Sequence, residues 1–582
     1  MLDYEVIEVD VLVVGGGGAA SRAAIEADSA GANVCMLVKG LFGHSGCTPI
    51  ALGGYAAAFG NADPRDNWRV HFEDTCVGGG MLNNQELVEI LCKEAPERFK
   101  ELESYGSIFD RGTNCRYYQR QLGGHSYPRT CTSGDRTGGE MMRGLVNEVY
   151  RREIKVLQDC TAIRLLKEDD RVVGCLAYEL KRGKFLVFRA KSTILASGGC
   201  GQVFKFCFAP YGKVGDANRM ALEVGAELVD LEMFQFHPTG YIAPESIAGQ
   251  SISEGVRGEG GRLYNVLGER FMERYNPKQL ELACRDFISR CIYFEVKEGR
   301  GTEDGGVFLS VTHVPAEIIE QRLTTMLMRG LNYGVDIRVE PMRVYPSSHY
   351  QNGGIRVDTT WKTKVDHLYA AGESAGGVHG GNRLGSNSLP DLLVSGKIAG
   401  WNAARAALDS YKPVDMSNFR REIERAFKYV EDIVSTDNGV NPISMRNEIK
   451  ELMWNNVGIA RSKESLTHAI NVLEGMKKRP PRVGQRGKSY NVEFLEALDA
   501  RSMICSAECM ARGALMREES RCGHFREDYP VPKHEWTVNI VYSLDEDGEL
   551  RLRKEPVVQT ILDPYGTEMP IFPTHGRIEC GE

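Results

Sequence analysis

The sequence predicts an α/β fold: a βαβ-based parallel sheet interrupted by an inserted α+β capping unit, then a helical domain and a small C-terminal β unit. Three observations predict it. Val11 to Ala27 (VLVVGGGGAASRAAIEA) reads as an apolar strand, a glycine turn and a helix. After short alternating β runs from Lys155 onward, the chain returns to a second apolar strand, Thr193 to Ala196, which also ends in glycines. Beyond Trp401, apolar residues recur at the spacing of helices that bury one face.

The glycine turn comes first. Glycine turns the backbone sharply and lets a pyrophosphate approach it, while the N–H groups and dipole of a helix start favour an anion. Gly15, Gly17 and Ala20, with Gly18 opening the helix, fit the G-x-G-x-x-G/A fingerprint. Glycine turns also end strands in enzymes that bind no nucleotide, but here a second strand at Asn33 to Val38 completes a dinucleotide-type βαβ unit. Lys39 stands where NAD-binding units carry an acidic residue, which argues against NAD. A return strand capped by Ser197-Gly198-Gly199 after a meander is the pattern of two-dinucleotide flavin folds. The expected fold is therefore an FAD-binding, Rossmann-like domain of the glutathione-reductase type.

Composition narrows the function. The chain has 582 residues, 42% hydrophobic and 26% charged, enough for several cores, and a formal charge of −8. No basic block suits nucleic acid. The acidic start, MLDYEVIEVD, lacks the features of a signal peptide, and no apolar run reaches bilayer-spanning length. A cytoplasmic protein is expected, at the inner face of the cell membrane only through partner subunits. The 16 cysteines form no paired framework or ligand array, so they read as buried free thiols and no metal site is expected.

In chain order, Lys39 to Ala58 is a loop of small residues whose Gly53-Gly54 pair lets backbone approach a flat ligand. Residues 82 to 106 read as a core-facing helix, and Gly123-Gly124-His125 and Asp135 to Gly138 as polar, glycine-marked segments. Asp216 is expected to cap a helix. Glu373 to Leu389 follows a strand, His367 to Ala371, and leads into another helix. Helical periodicity covers Asn418 to Ser435, Ile443 to Arg461, Ser465 to Met476 and Val492 to Met510, with a Gly/Arg/Lys loop (RVGQRGKS) before the last. TVNIVY and ELRLRK alternate as strands. The expected division is residues 1–240 and 351–412 for the FAD domain, 241–350 for the cap, 413–520 for the helical domain and 521–582 for the C-terminal unit.

Five motifs, LEMFQFHPTG (Leu231 to Gly240), SISEGVRGEGG (Ser251 to Gly261), CRDFISR (Cys284 to Arg290), SSHYQNGG (Ser347 to Gly354) and HGGNRLGSNSL (His379 to Leu389), carry a resemblance. The likeness runs from the glycine loop to SRCGHFREDYP (Ser520 to Pro530) and so covers nearly the whole chain, which resembles the flavoprotein subunit of fumarate reductase and succinate dehydrogenase. L-aspartate oxidase and adenylylsulfate reductase belong to the same superfamily.

The residues make chemical sense beside that likeness. A small dicarboxylate needs two separated anion grips, for which His237, His349 and Arg383, helped by Thr239 and Ser253, supply charge and donors. Reducing a C=C bond conjugated to a carboxylate takes a hydride from flavin N5 and a proton from a positioned acid. The resemblance implies Arg285 as that acid, with Glu254 and Arg257 as its relay. It also places Lys39, Cys47, Thr48, Gly53, Gly54, Asp216, Glu373, Ser388 and Leu389 around FAD, Ser388 and Leu389 offering backbone donors near the isoalloxazine. One departure matters: quinone-linked members carry a covalent flavin histidine six residues before Gly53, where this chain has Cys47, with His44 three residues earlier. Dissociable FAD, and a bias toward fumarate reduction, are expected; His44 through a shifted loop and a cysteinyl link stay open. The likeness implies that the partner is an iron–sulfur subunit, linked onward to a membrane anchor or a thiol-type redox subunit; Trp536 and Tyr542 are candidates for its face or for the core. The alternatives are an L-aspartate oxidase and a flavin electron-transfer subunit without dicarboxylate turnover.

Overall fold

A computed structural model describes residues 4–433, 439–485 and 487–563. Its main sheet has seven strands and grows from the βαβ unit: β1 (Tyr4–Val14), α1 (Gly18–Ser29) and β2 (Val34–Val38). The glycine loop after β2 leads into α2 (Trp68–Gly78) and a helix at Gln85–Ser104. β1 lies parallel to β2, Val14 facing Leu37, and on its other side parallel to β3 (Lys184–Leu195), Val14 facing Leu195. Covered on both faces, Val11 to Val14 and all of β2 are buried, which is why they read as continuous apolar runs rather than alternating ones.

The meander differs from its sequence reading. It joins the main sheet instead of lying beside it, and Phe185 to Phe188 and the return strand are one strand, β3. No glycine, proline, asparagine or aspartate stands between Phe188 and Thr193, so the chain runs straight on. The first half of β3 pairs antiparallel with Arg171–Glu179, and its last residues pair parallel with Leu368–Ala370. Where β3 ends, Gly15 has φ +137°, and a Cβ there would lie 2.2 Å from the Ala196 carbonyl oxygen. Gly15 is thus required by this close crossing whatever sits in the turn.

The inserted region builds its own sheet from β4 (Phe234–Tyr241), Arg262–Tyr264, Val307–Ser310 and β5 (Met342–Gln351), with α3 (Arg285–Lys297) packed on it. Ile252, Val256, Ile288, Ile292 and Leu309 share its core. The chain then returns to the first sheet and forms α4 (Ser388–Asp409), which packs along α1.

Four helices follow, Met416–Ile433, Pro442–Val457, Lys463–Lys477 and α5 (Val492–Met516). Of the expected helix ends and loop, Val434, Ser435 and Arg486 lie outside the described residues. α5 runs past the expected Met510 because Ala511, Gly513 and Ala514 are buried too. The described cysteines are free, and no helix among the described residues is long and apolar enough to cross a membrane.

One side-chain expectation is corrected and one alternative is resolved. Asp216 is the first helical residue of Asp216–Glu223 and not its cap; Gly215, in the left-handed region, is. The Asp216 carboxylate is engaged instead by Lys39 (2.9 Å) and the Ser502 hydroxyl (2.7 Å). Of the two roles open to Trp536 and Tyr542, partner face or core, the structure gives the core: they are 4% and 0% exposed, and the Tyr542 hydroxyl donates to Glu232.

The C-terminal hairpin, Val538–Leu544 with Leu550–Pro556, completes a four-stranded sheet with Leu228–Val229 and Gly354–Ile355. The expected C-terminal residues beyond Asp563 lie outside the described residues. Arg517, fully buried at the end of α5, ties this corner together. It bonds Glu232 (2.8 Å), Asp230 (3.2 Å) and the carbonyls of Trp536 and Val538 (both 2.9 Å). Removing one partner of such a network leaves buried charge uncompensated. Arg517→Ala is expected to destabilise the fold by about 3–5 kcal/mol, read as a lower urea midpoint by tryptophan fluorescence; an unchanged midpoint would contradict it.

Candidate active site

A cavity of about 600 Å³ runs from the glycine turn, past the Cys47–Gly54 loop, to the start of α4 and the inner face of the cap. That is within the usual range for ligand pockets, about 300–1,000 Å³. Most of the expected site residues meet there. Gly15, Gly17, Gly18, Lys39, Cys47, Thr48, Gly53, Gly54, Asp216, Glu373, Ser388 and Leu389 line one stretch, and His237, Ser253, Glu254, Arg285, His349 and Arg383 the other. Ala20, Thr239 and Arg257 do not line it. Ala20 is buried in α1, and Thr239 and Arg257 stand behind His237 and Glu254.

At the cap end, Glu254 opens a short helix whose N-cap is Ser253, and Arg285 opens α3, so two helix starts face each other. Arg285 donates from Nε (3.0 Å) and Nη2 (2.6 Å) to Glu254 Oε2. Arg257 Nη2 lies 3.9 Å from the same oxygen, and its Nη1 donates to the Glu281 carbonyl (2.6 Å). Burial alone would raise Glu254, but Arg285 and Arg257 outweigh it and hold the carboxyl far below its ordinary value. Arg257 is pushed down by burial, against the pull of Glu254.

Arg383 comes from the loop before α4, with its guanidinium 4.8 Å from the centre of the Tyr350 ring. Burial first, and Arg285 second, push it down to about 9. The rings of His237 and His349, brought together by the pairing of β4 with β5, have centres 5.2 Å apart. Thr239 and Ser251 surround His237 Nδ1 at 3.3–3.4 Å. Both histidines are pushed well below the ordinary histidine value, by burial and then by Arg285.

Sequence reasoning missed the residue that joins these parts. Gln235, fully buried, accepts at Oε1 from Arg285 Nη1 (3.1 Å) and Arg383 Nη2 (2.9 Å), and donates from Nε2 to Asn382 Oδ1 (2.6 Å) and the Arg383 carbonyl (2.8 Å). Its signal was present, since it lies two positions before His237 on one strand and so points to the same face. Lys213 was missed as well. It is buried in the cavity wall with Nζ 2.6 Å from Glu373, and nothing local in Gly212 to Gly215 marks it. Cys47 lies beside it, its thiol pushed up to about 11 by burial, Lys213 opposing.

The residues present fit an FAD. At the start of α1 the Gly18 N–H is taken by Thr48 Oγ1 (3.1 Å) and at the start of α4 the N-cap side chain makes no capping bond, so the remaining backbone N–H groups at both starts suit a ligand. Gly53 borders open space, whereas a Cβ on Gly54 would lie 2.2 Å from Thr130 Cγ2, so the first glycine serves the cavity and the second serves packing. Three residues that line the cavity, Arg383, His349 and Ser386, each hold a buried side-chain atom (Nε, Nδ1 and Oγ) without a hydrogen-bond partner.

Comparison with known proteins agrees with the geometry. Residues 10–389 match the family described as FAD binding domain, and residues 446–571 that described as fumarate reductase flavoprotein C-term. The chain is 45% identical over 545 residues to a fumarate reductase (CoM/CoB) subunit of Methanothermobacter marburgensis, covering 93% of this chain and 98% of that one. It is 34% identical over 596 residues to the succinate dehydrogenase flavoprotein subunit of Rickettsia conorii, covering 97% and 98%. The FrdA chain of E. coli quinol fumarate reductase superposes with a TM-score of 0.92 at 30% identity, over 96% of this chain and 98% of that one. The chain therefore belongs to the flavoprotein-subunit family of fumarate reductase and succinate dehydrogenase, which are FAD-dependent oxidoreductases.

Proposed function

We propose that this chain is a catalytic subunit interconverting fumarate and succinate, biased toward fumarate reduction. The observation that carries this reading is three buried or half-buried guanidinium groups joined through two acceptors: Arg257 and Arg285 lie on the Glu254 carboxylate, and Arg383 shares Gln235 Oε1 with Arg285. An excess of desolvated cations is unfavourable alone and favourable around a dianion. Arg383 with His349 grips one carboxylate of the substrate, and His237 with Ser253 the other; Thr239 keeps the His237 ring in place. FAD, when bound, supplies the hydride at N5. Arg285 holds the proton for the substrate carbon, and Glu254, bonded to two of its nitrogens, returns it. Arg257 extends that path away from the cavity. The cap excludes water from the site.

FAD is held without a covalent bond in this reading. A thiol as hard to ionise as Cys47 is a poor nucleophile. By the family resemblance, losing that bond keeps the flavin potential lower, which favours reduction of fumarate. Electrons arrive through an iron–sulfur subunit. The name of the Methanothermobacter relative supports a thiol pair as their origin.

An anaerobic assay tests the reading: fumarate should bleach a reduced viologen dye, whereas no turnover there, or peroxide formed from aspartate in a parallel assay with oxygen present, would overturn it. Arg285→Gln should abolish that turnover with flavin content near normal. Because His237 and His349 stay neutral, kcat/KM should show no limb near the ordinary histidine value, about 6.5; a fall through that pH would refute their neutrality. Acid precipitation should leave the flavin in the supernatant, and flavin in the pellet would refute the non-covalent site.

A further inference from the structure

Of the lysines and arginines that line the cavity, Lys39 pairs with Asp216 and Asp499, Lys213 with Glu373 and Arg285 with Glu254, and Arg383 donates to Gln235. Arg120 is the exception. Among the described residues its guanidinium makes no hydrogen bond and no ion pair, and of its nitrogens only Nε is buried, so Nη1 and Nη2 keep open surface. The side chain as a whole is half-buried. It stands on a short strand of the FAD domain, Gln119–Arg120, in register with Thr130, which also lines the cavity and pairs in turn with Ala56 just after Gly53-Gly54.

From there Arg120 reaches the cap. A Cβ on Gly255 would lie 3.5 Å from Arg120 Nη1 and 3.3 Å from Ser253 Oγ, so the guanidinium and the hydroxyl flank one glycine. Ser253 Oγ accepts from the Gly255 N–H (3.2 Å), which leaves its own proton for a ligand. An arginine and a hydroxyl so placed suit a carboxylate, whose oxygens take charge-assisted donors at about 2.7–2.9 Å. Charge points the same way. In the reading above Arg383 supplies a cation to one carboxylate of the substrate, whereas the other meets only the neutral His237 and the Ser253 hydroxyl. We propose that Arg120 is a substrate-binding residue, the cation of this second grip, bonding the carboxylate that Ser253 and His237 hold. Each carboxylate then takes one guanidinium from the FAD domain and one neutral imidazole from the cap, so a bound dicarboxylate ties the two together.

The inference rests on the dicarboxylate reading. Binding of succinate, and of butyrate, which lacks one of the two carboxylates, is followed through the visible absorption of the oxidised flavin in the purified holoprotein of wild type, Arg120→Gln and Arg120→Lys. Arg120→Gln should bind succinate about ten- to a hundredfold more weakly, the loss of one charge-assisted bond, with Arg120→Lys between it and wild type. Butyrate should bind wild type and Arg120→Gln alike, and the fumarate KM of Arg120→Gln should rise while kcat stays within about threefold. Flavin content and melting temperature should match wild type. Succinate binding unchanged in Arg120→Gln would overturn this proposal alone. So would an equal loss for butyrate, or a loss that vanishes at high ionic strength, the mark of long-range attraction instead of contact. Wild type that binds no succinate would overturn the dicarboxylate reading and this inference with it.

Discussion

Everything at the cap end of the cavity depends on keeping three arginines close together, two of them on the Glu254 carboxylate and the third sharing Gln235 with one of those two. Like charges in a desolvated pocket repel strongly, and Glu254 cannot neutralise more than one of them. The protein manages this through geometry. Gln235 offers a single carbonyl oxygen to Arg285 and Arg383 at once, so the two guanidinium groups are fixed at a set spacing by a neutral acceptor. Arg257 is tied to a backbone carbonyl. The uncompensated charge that remains is a binding potential for a dianion, built before any ligand arrives.

The fold delivers these groups from separate places. Arg285 and Glu254 come from two helix starts in the cap, His237 and His349 from paired cap strands, and Arg383 from the loop that opens α4. The cofactor region is assembled from the turn after β1, the loop after β2 and that same α4 start. Arg383 and Ser386 therefore sit where both halves meet. Gln235, on a cap strand but bonded to the Arg383 carbonyl, fastens one half to the other.

The parts legible in the sequence were those whose reason is local. An apolar run followed by glycines marks β1 and its turn, and three- to four-residue periodicity marks the helices after Trp401. The substrate-side residues were legible because five motifs carry a family likeness. What stayed hidden had a partner far along the chain. Asp216 looked like a cap because Lys39, which takes its carboxylate, is distant in sequence. Gln235 shares a strand face with His237, but nothing local showed that both arginines would converge on it, and the choice between face and core for Tyr542 stayed open because its acceptor, Glu232, precedes the entire cap. β3 was split in two because its neighbour changes midway while its own sequence does not.

The sheet joining Leu228–Val229 to the C-terminal hairpin has a consequence for synthesis. Domains form as they leave the ribosome, from the N-terminus onward. Here the strand that leads into the cap must wait, one edge bare, until nearly the whole polypeptide has emerged to cover it. The nascent chain thus carries an exposed strand edge until the final hairpin has closed the gap.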